Sequence, residues 1–443
     1  MKMEKEDVLE IVEKEDVKFV EMQFMDLLGG VKTVSIPADN LERAIDEGVL
    51  FDGSSIVGYA TIEESDLRAH PDLDTFIIFP WIDNKIKTGR LICDIYDSNG
   101  ERFDGDPRYI LYKQMKKAEK LGYKFNVGPE FEFFLLKLDE KGNPTTEPDD
   151  QGGYFDLMPL DTAEKVRKEC NMYFKEMGFE VEASHHEVAS GQHEIDLRYG
   201  NAIKIADSIL TLKHGIKTVA KLNNLHATFM PKPIAGVNGT GMHVHQSLLG
   251  EDGKNFFYDE ESPDGLSDTL RYYLGGLLKY AEDTCAILNS WVNSYKRLVP
   301  GYEAPAYISW AYLNRSVLAR IPAGRKKATR IEVRNPDPAG NPYLQFAVLL
   351  ASGLKGIEEK IEPPKPMEED IFALSASQRK EKNIRSLPSN LGNAISKMEN
   401  SELMKEILGE HTFKHFLHKK REEWDEYRQQ VTNWEINKYL HVL

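Results

Sequence analysis

Four stretches of this chain alternate charged and apolar residues with a period of two, the period of a β-strand. In "GPEFEFF", Glu130 and Glu132 point one way while Phe131 and Phe133 point the other. In "KATRIEVRNPDP", Arg330, Glu332 and Arg334 share a face backed by Ile331 and Val333. "VNGTGMHVHQS" sets His243 and His245 opposite Met242 and Val244, and Gly239 and Gly241 let backbone approach a ligand closely. "HHEVASGQHEID" adds Glu187 and Glu194, separated by a turn containing Gly191, so that two strand ends can converge. One such strand alone reads as a solvated edge. Four in one chain favour a sheet with an apolar back and a charged working face.

Carboxylates on a buried face are costly unless a cation compensates them. A hard divalent ion is the simplest candidate, since oxygen ligands with one imidazole suit Mg²⁺ or Mn²⁺. Neither HxxxH nor HExxH occurs around His185, His186 and His193, so those histidines are expected to hydrogen-bond or face solvent rather than hold zinc.

The net charge of −16 argues against nucleic acid as a partner. Against that background, residues 297–334 reverse the sign with Arg297, Arg315, Arg320, Arg325, Arg330 and Arg334, beside Lys326 and Lys327. Guanidinium forks match carboxylates and phosphates. Carboxylates that hold metals and arginines that hold anions together suit metal-assisted phosphoryl transfer; a basic surface facing a partner subunit is the other reading. No GxxxxGK[ST] loop is present, which excludes a P-loop enzyme. No apolar run approaches the roughly 18 residues of a membrane span, and "MKMEKEDVLE" has no apolar signal core, so a cytoplasmic location is expected. Cys93, Cys170 and Cys285 read as reduced core thiols.

Length points to two domains. The first hundred residues mix a helix, "EKEDVLEIVEKE", with β-like runs "VKFVEMQF", "VKTVSIP", "TFIIFPWI" and "RLICDIY". The Gly-rich "DSNGERFDGDP" then precedes a helix opened by Pro107. These signals predict a small α/β domain of four or five strands over 1–104. A larger α+β domain with an antiparallel or mixed sheet is predicted over 105–443. A helix from about 201 to 222 carries a core stripe of Ile205, Ile209, Leu212 and Ile216. The end from about 391 reads as helical and highly charged.

"FDGSSI", "GPEFEFF", "NGTGMHVHQSL", "KRLVPGYEAP" and "RIEVRNPDPAGNPYL" resemble, in order, the signature segments of glutamine synthetases of the prokaryotic type I form. The resemblance implies a β-grasp-like N-terminal domain, a catalytic domain with a mainly antiparallel curved sheet, and two stacked hexameric rings with active sites between subunits. It implies that ATP phosphorylates the γ-carboxylate of glutamate and that ammonia then displaces phosphate, with two or more Mg²⁺ or Mn²⁺ ions per site. By the same resemblance, Glu132, Glu187 and Glu194 would hold the metal on the glutamate side. Glu130, His243 and Glu332 would hold the metal that bridges the ATP phosphates. Arg297, Arg334, Asn238 and Gly239 would bind glutamate. Arg315 and Arg320 would neutralise the phosphoryl group, with Arg330 in the phosphate region; Glu182, His245, Ser247 and Lys327 would serve the nucleotide. Asp52 and Asp66, from the adjacent subunit, would bind ammonium, Asp52 helping to take its proton, and Glu303 would close a flap over the site.

Two departures bear on control. Phe372 stands where the adenylylated branch has a tyrosine, so no adenylylation is expected there. Thr61 replaces an arginine through which another branch is inhibited by glutamine, which leaves an effector or a small regulatory protein as possible controllers. Asp52, Asp66 and Glu303 favour ammonia over the polyamine of sister γ-glutamyl ligases. The full set of ligands and arginines speaks against a non-catalytic relative.

Overall fold

The computed structural model describes residues 2–59 and 65–443; Thr61 lies outside the described residues. In the N-terminal part, β1 (Phe19–Met25), β2 (Val31–Pro37), β3 (Val49–Asp52), β4 (Asp66–Ile78) and β5 (Thr88–Tyr96) form a sheet in the order β2-β1-β5-β4-β3. β1 and β5 run parallel, and the remaining neighbours are antiparallel. The helix Lys5–Lys14 buries Val8 and Val12 against this sheet, where they join Val20, Met22, Phe24, Leu67, Leu91 and Ile95. The sequence reading named only "TFIIFPWI" in the β4 region. The strand begins earlier, at Asp66, because Leu67 and Ala69 alternate inward among charged neighbours; Pro71 and the aspartates around it disguise that pattern.

The larger part is organised on one long strand, β6 (Lys124–Leu138). Around it lie β7 (Pro144–Pro148), β8 (Val181–His186), β9 (Gln192–Leu197), β10 (Gly200–Asn201), β11 (Leu225–Thr228) and β12 (Val244–Leu249). A two-stranded ribbon pairs β13 (Tyr307–Ile308) with β17 (Arg385–Ser386). β14 (Trp310–Ala311), β15 (Ala319–Arg320) and β16 (Ile331–Val333) complete the main sheet, whose order is β14-β15-β16-β12-β6-β9-β8. Only β14 and β15 pair in parallel in that sheet, among the described residues. This is the α+β architecture expected from the sequence.

Helices cover the apolar back of the sheet, and their ends are fixed by side-chain caps. Asp106 caps the helix Pro107–Lys120 by accepting from Arg108 N, with proline at the first turn. Asn201 caps Ala202–Leu222, whose Ile205, Ile209, Leu212 and Ile216 are buried, matching the predicted stripe. Asn341 caps Pro342–Glu358 and also donates to the Asp26 carbonyl at 2.9 Å, tying that helix to the turn after β1. Arg108 joins the same two layers by bonding Asp72 (2.6 Å) and Asp94 (2.5 Å) on the small sheet and Asp207 (3.0 Å) on the helix Ala202–Leu222.

The C-terminal segment ends in the helix Asn433–Tyr439, with Val431, Trp434, Ile436, Leu440 and Val442 exposed. All three cysteines are buried free thiols.

Candidate active site

Strand alternation sends Phe131 and Phe133 into the core and turns Glu130 and Glu132 to the opposite face. Register then sets carboxylate against carboxylate: Glu132 lies directly across from Glu194, and Glu130 across from Asp196. Like charges so placed oppose sheet formation, and burial raises the cost. Burial, with the charge of Glu187, pushes the Glu132 carboxyl up to about 8. Burial together with Asp196 and Glu132 holds Glu194 well above the carboxylate range. Glu187 is raised by burial, with Glu303 and Glu130 adding to it, and Asp196 rises to about 6 through burial and Glu130. Four carboxyls are thus held together with too little positive charge among them. Donor atoms of Glu187, Glu194 and His185 fall within 4.8 Å of one another. This set fits a hard divalent cation.

The other half of the face is differently balanced. Glu130 takes hydrogen bonds from His243 Nδ1 (2.7 Å) and His245 Nε2 (2.8 Å). Arg330 Nε donates to His245 Nδ1 at 3.1 Å, which places the proton of that ring on Nε2. Glu332, on β16, pairs across the sheet with His245 and with Arg320, and accepts from Arg320 Nε (2.5 Å) and from Arg334 Nη1. Burial opposes ionisation of Glu130, but its two imidazole partners outweigh it and hold the group far below the usual range. In Glu332 the opposition of burial is overcome by Arg334, His245 and His243, and the group is lowered. Oxygens of Glu130 and Glu332 and a nitrogen of His245 lie within 4.8 Å, and His243 Nδ1 is 3.8 Å from Glu332. These carboxylate oxygens, with the imidazole of His243, also fit a divalent ion; His245, both of whose nitrogens are engaged, borders the cluster more closely than the sequence reading placed it.

Arg297 borders both halves. Its guanidinium is buried and bonds the carbonyls of Asn335 (2.8 Å) and Arg334 (2.9 Å), which fixes its direction. A Cβ on Gly241 would stand 2.6 Å from Arg297 Nη2 and 3.1 Å from Glu132 Oε1. Only glycine lets backbone pass between these groups.

One long strand thus presents paired carboxylates, and Arg297, Arg320 and Arg334 border the face they form. The family model described as glutamine synthetase, catalytic domain, matches residues 104–439, and that described as glutamine synthetase, beta-Grasp domain, matches residues 16–98. The chain belongs to the glutamine synthetase family. A glutamine synthetase of Methanosarcina mazei is 54% identical over 439 residues, covering 99% of this chain and 98% of that one. One from Thermotoga maritima is 50% identical over 437 residues, covering 99% of both chains. Among solved structures, a GmaS–ADP complex superposes with a TM-score of 0.90 at 32% identity over 98% of this chain and 99% of its own. A Plasmodium falciparum glutamine synthetase superposes at 0.87 with 26% identity, covering 99% of each chain.

The remaining residues named from the glutamine synthetase signatures fall into three places. Asn238 Nδ2 donates to Glu303 Oε2 at 3.0 Å, and the Gly239 carbonyl accepts from Gln192 Nε2 at 3.1 Å, so both adjoin the carboxylate face. Glu303 holds a φ of +54°, a strained value for a residue with a Cβ. Arg315 is exposed beside the Tyr154 hydroxyl. Glu182 and Lys327 are exposed at the rims, and Ser247 is half-buried on β12 opposite Asn126. Asp52 and Asp66 face each other across β3 and β4 on the small sheet. Ser54 and Ser55 hydroxyls bond Asp52 and lower its carboxyl. No hydrogen bond or ion pair among the described residues links Asp52 or Asp66 to the carboxylates of the large sheet.

Three groups escaped the sequence reading. Gln192 donates to Glu132 Oε2 at 2.7 Å, and Asp196 completes the carboxylate row; both stand in "GQHEID", at the alternate positions around Glu194 that the strand period marks. Tyr154 and Phe155 stack on each other and meet His185 edge-on, and no local pattern announces them. His186 and His193 are fully buried and hydrogen-bonded, one of the two roles the sequence reading expected of them.

Proposed function

We propose that this chain ligates ammonia to the γ-carboxylate of L-glutamate at the expense of ATP, through γ-glutamyl phosphate, giving L-glutamine, ADP and phosphate. The observation that carries the reading is the cross-strand pairing of Glu132 with Glu194 on the face that Arg297, Arg320 and Arg334 border. Divalent ions, Mg²⁺ or Mn²⁺ and two or more per site, supply charge neutralisation for phosphates and carboxylates when bound. Glu132, Glu187 and Glu194 would hold one and Glu130, His243 and Glu332 another, with His245 beside the second.

Arg297 and Arg334, with Asn238 and Gly239, orient glutamate so that its γ-carboxylate meets the phosphoryl group. Arg315 and Arg320 neutralise the charge that spreads over the transferring group, and Arg330 steadies the phosphate side through His245. Glu182, Ser247 and Lys327 contact the nucleotide. Glu303 closes over the intermediate to exclude water, and Asp52 with Asp66 receives ammonium and accepts its proton. We place the domain boundary near residue 104, the assembly as a dodecamer of two stacked hexameric rings with each site completed by a neighbour, and the enzyme in the cytoplasm. Phe372 has no hydroxyl to carry a nucleotidyl group, so control is assigned to a metabolite or a small regulatory protein.

The test is ADP release with ATP, Mg²⁺ and glutamate, with and without ammonium, and with a polyamine instead. Ammonium-dependent turnover that yields glutamine is expected, and Glu332→Ala should lower it at least a hundredfold. Turnover with the polyamine alone would move the chain to the sister ligases.

A further inference from the structure

Behind the carboxylate face lies a second polar cluster that the reaction does not use. Asp150, Asp161, Arg167, His186 and His193 are all buried. Asp161 pairs with Arg167 Nη2 at 2.6 Å, and Arg167 Nη1 donates to His193 Nδ1 at 2.8 Å. That bond leaves the proton of His193 on Nε2, which has no hydrogen-bond partner and stands 3.7 Å from Asp150. His193 therefore offers no lone pair to an ion, and with Arg167 inside the cluster a buried cation site is excluded.

Asp150 occupies the centre. Its Oδ1 accepts from Gly191 N (2.7 Å), from Gly152 N (3.2 Å) and from His186 Nε2 (3.0 Å), and its Oδ2 also lies 3.0 Å from His186 Nε2. His186 in turn donates from Nδ1 to the Glu187 carbonyl at 2.6 Å. The two ends of the turn between β8 and β9 are thus held by one carboxylate: Glu187 at one end through His186, Gly191 at the other directly. Gly191 adopts a φ of +71°, and a Cβ there would meet the Leu135 carbonyl at 2.8 Å, so the turn lies tight on β6. Beyond the turn, Gln192 reaches Glu132 and Glu194 reaches His185. Phe155 N bonds the His186 carbonyl at 3.1 Å, so the segment carrying Gly152 braces the same hairpin.

We infer that Asp150 is a positioning residue that, through His186 and Gly191, sets the separation of Glu187 and Glu194 and so shapes the divalent-ion site on the glutamate side. The inference rests on the ligase reading given above. Partners of this kind, once removed, typically lower metal affinity by about 10- to 100-fold.

The experiment is a Mn²⁺ titration of the assembled, full-length protein, followed by electron paramagnetic resonance, for wild type, Asp150→Asn and His186→Ala. In Asp150→Asn the new side-chain amide can accept from both glycine N–H groups through its oxygen and donate to a neutral His186 through its nitrogen. That variant should keep every class of Mn²⁺ site within threefold of wild type. His186→Ala severs one arm and should weaken one class at least tenfold while the other, at Glu130 and Glu332, is unchanged. Equal weakening of all classes, no weakening, or failure of His186→Ala to fold would each overturn the inference, because each makes the cluster merely structural or idle. A wild type that binds no Mn²⁺ would instead overturn the ligase reading itself.

Discussion

At the residue scale, the two halves of the carboxylate face have opposite acid–base character. Glu130 and Glu332 are kept ionised by imidazoles and guanidiniums, whereas Glu132, Glu187 and Glu194 are pressed toward the protonated form by burial and by one another. A carboxyl raised by folding binds its proton more tightly in the native state than in the unfolded chain. The ion-free protein should therefore lose stability as pH rises from about 4.5, the ordinary value for Glu132, to about 8, its value in the fold. A divalent ion must displace those protons, so its apparent affinity should climb across pH 6 to 8 and level off above. Calorimetric titration of Mg²⁺ in two buffers of different ionisation enthalpy reads the protons released. A flat affinity over that range would disprove the assignment. The individual carboxylates were legible in the sequence because strand alternation is a local signal. Which of them stand opposite each other was not, since register is fixed by the whole sheet.

At the scale of elements, Asn341 does two jobs from one position. Its Oδ1 caps the helix Pro342–Glu358, accepting from Tyr343 N (3.0 Å) and Leu344 N (3.3 Å), while Nδ2 holds the Asp26 carbonyl. Losing a cap costs about 1 kcal/mol, and losing a buried hydrogen bond costs about 1 kcal/mol more. Asn341→Ala should lower the urea midpoint clearly, and Asn341→Asp, which keeps the cap acceptor but loses the donor, should fall between it and wild type. Equal midpoints for the alanine and aspartate variants would mean that the cap contributes nothing. The sequence showed the helices by periodicity and by the opening proline, Pro107, whereas the caps Asp106 and Asn201 emerged from the structure. It did not show the first half of β4, where charged side chains and a proline dilute the alternation, nor the two-residue strands β13, β14, β15 and β17, too brief to carry a period. The bracket from Asp150 to Phe155 was equally hidden, because its contacts lie 30 or more residues along the chain.

At the scale of the whole molecule, the last helix and its flanks leave Val431, Trp434, Ile436, Leu440 and Val442 exposed, a surface that we propose packs against another copy. Deleting residues 432–443 should shrink the largest assembly seen by light scattering while leaving the fold intact; an unchanged mass would show that the tail is idle. A small sheet of four or five strands and a larger antiparallel or mixed sheet were expected from sequence, and the five motifs pointed to the family. Strand order, with β6 and β12 adjacent though more than a hundred residues apart, is a product of tertiary packing that no local pattern encodes.

Asp52 and Asp66 face each other at the edge of the small sheet, while the carboxylates they are proposed to serve lie on the large one. If each site borrows that pair from a neighbour, damage to one subunit can be repaired by another. Asp52→Ala and Glu332→Ala chains, each inactive in pure assemblies, should regain activity when unfolded and refolded together. Random mixing in equal amounts across a head-to-tail interface restores about a quarter of the sites. Two defective genes would then make a working enzyme, and the fraction recovered would count the neighbours that share each centre.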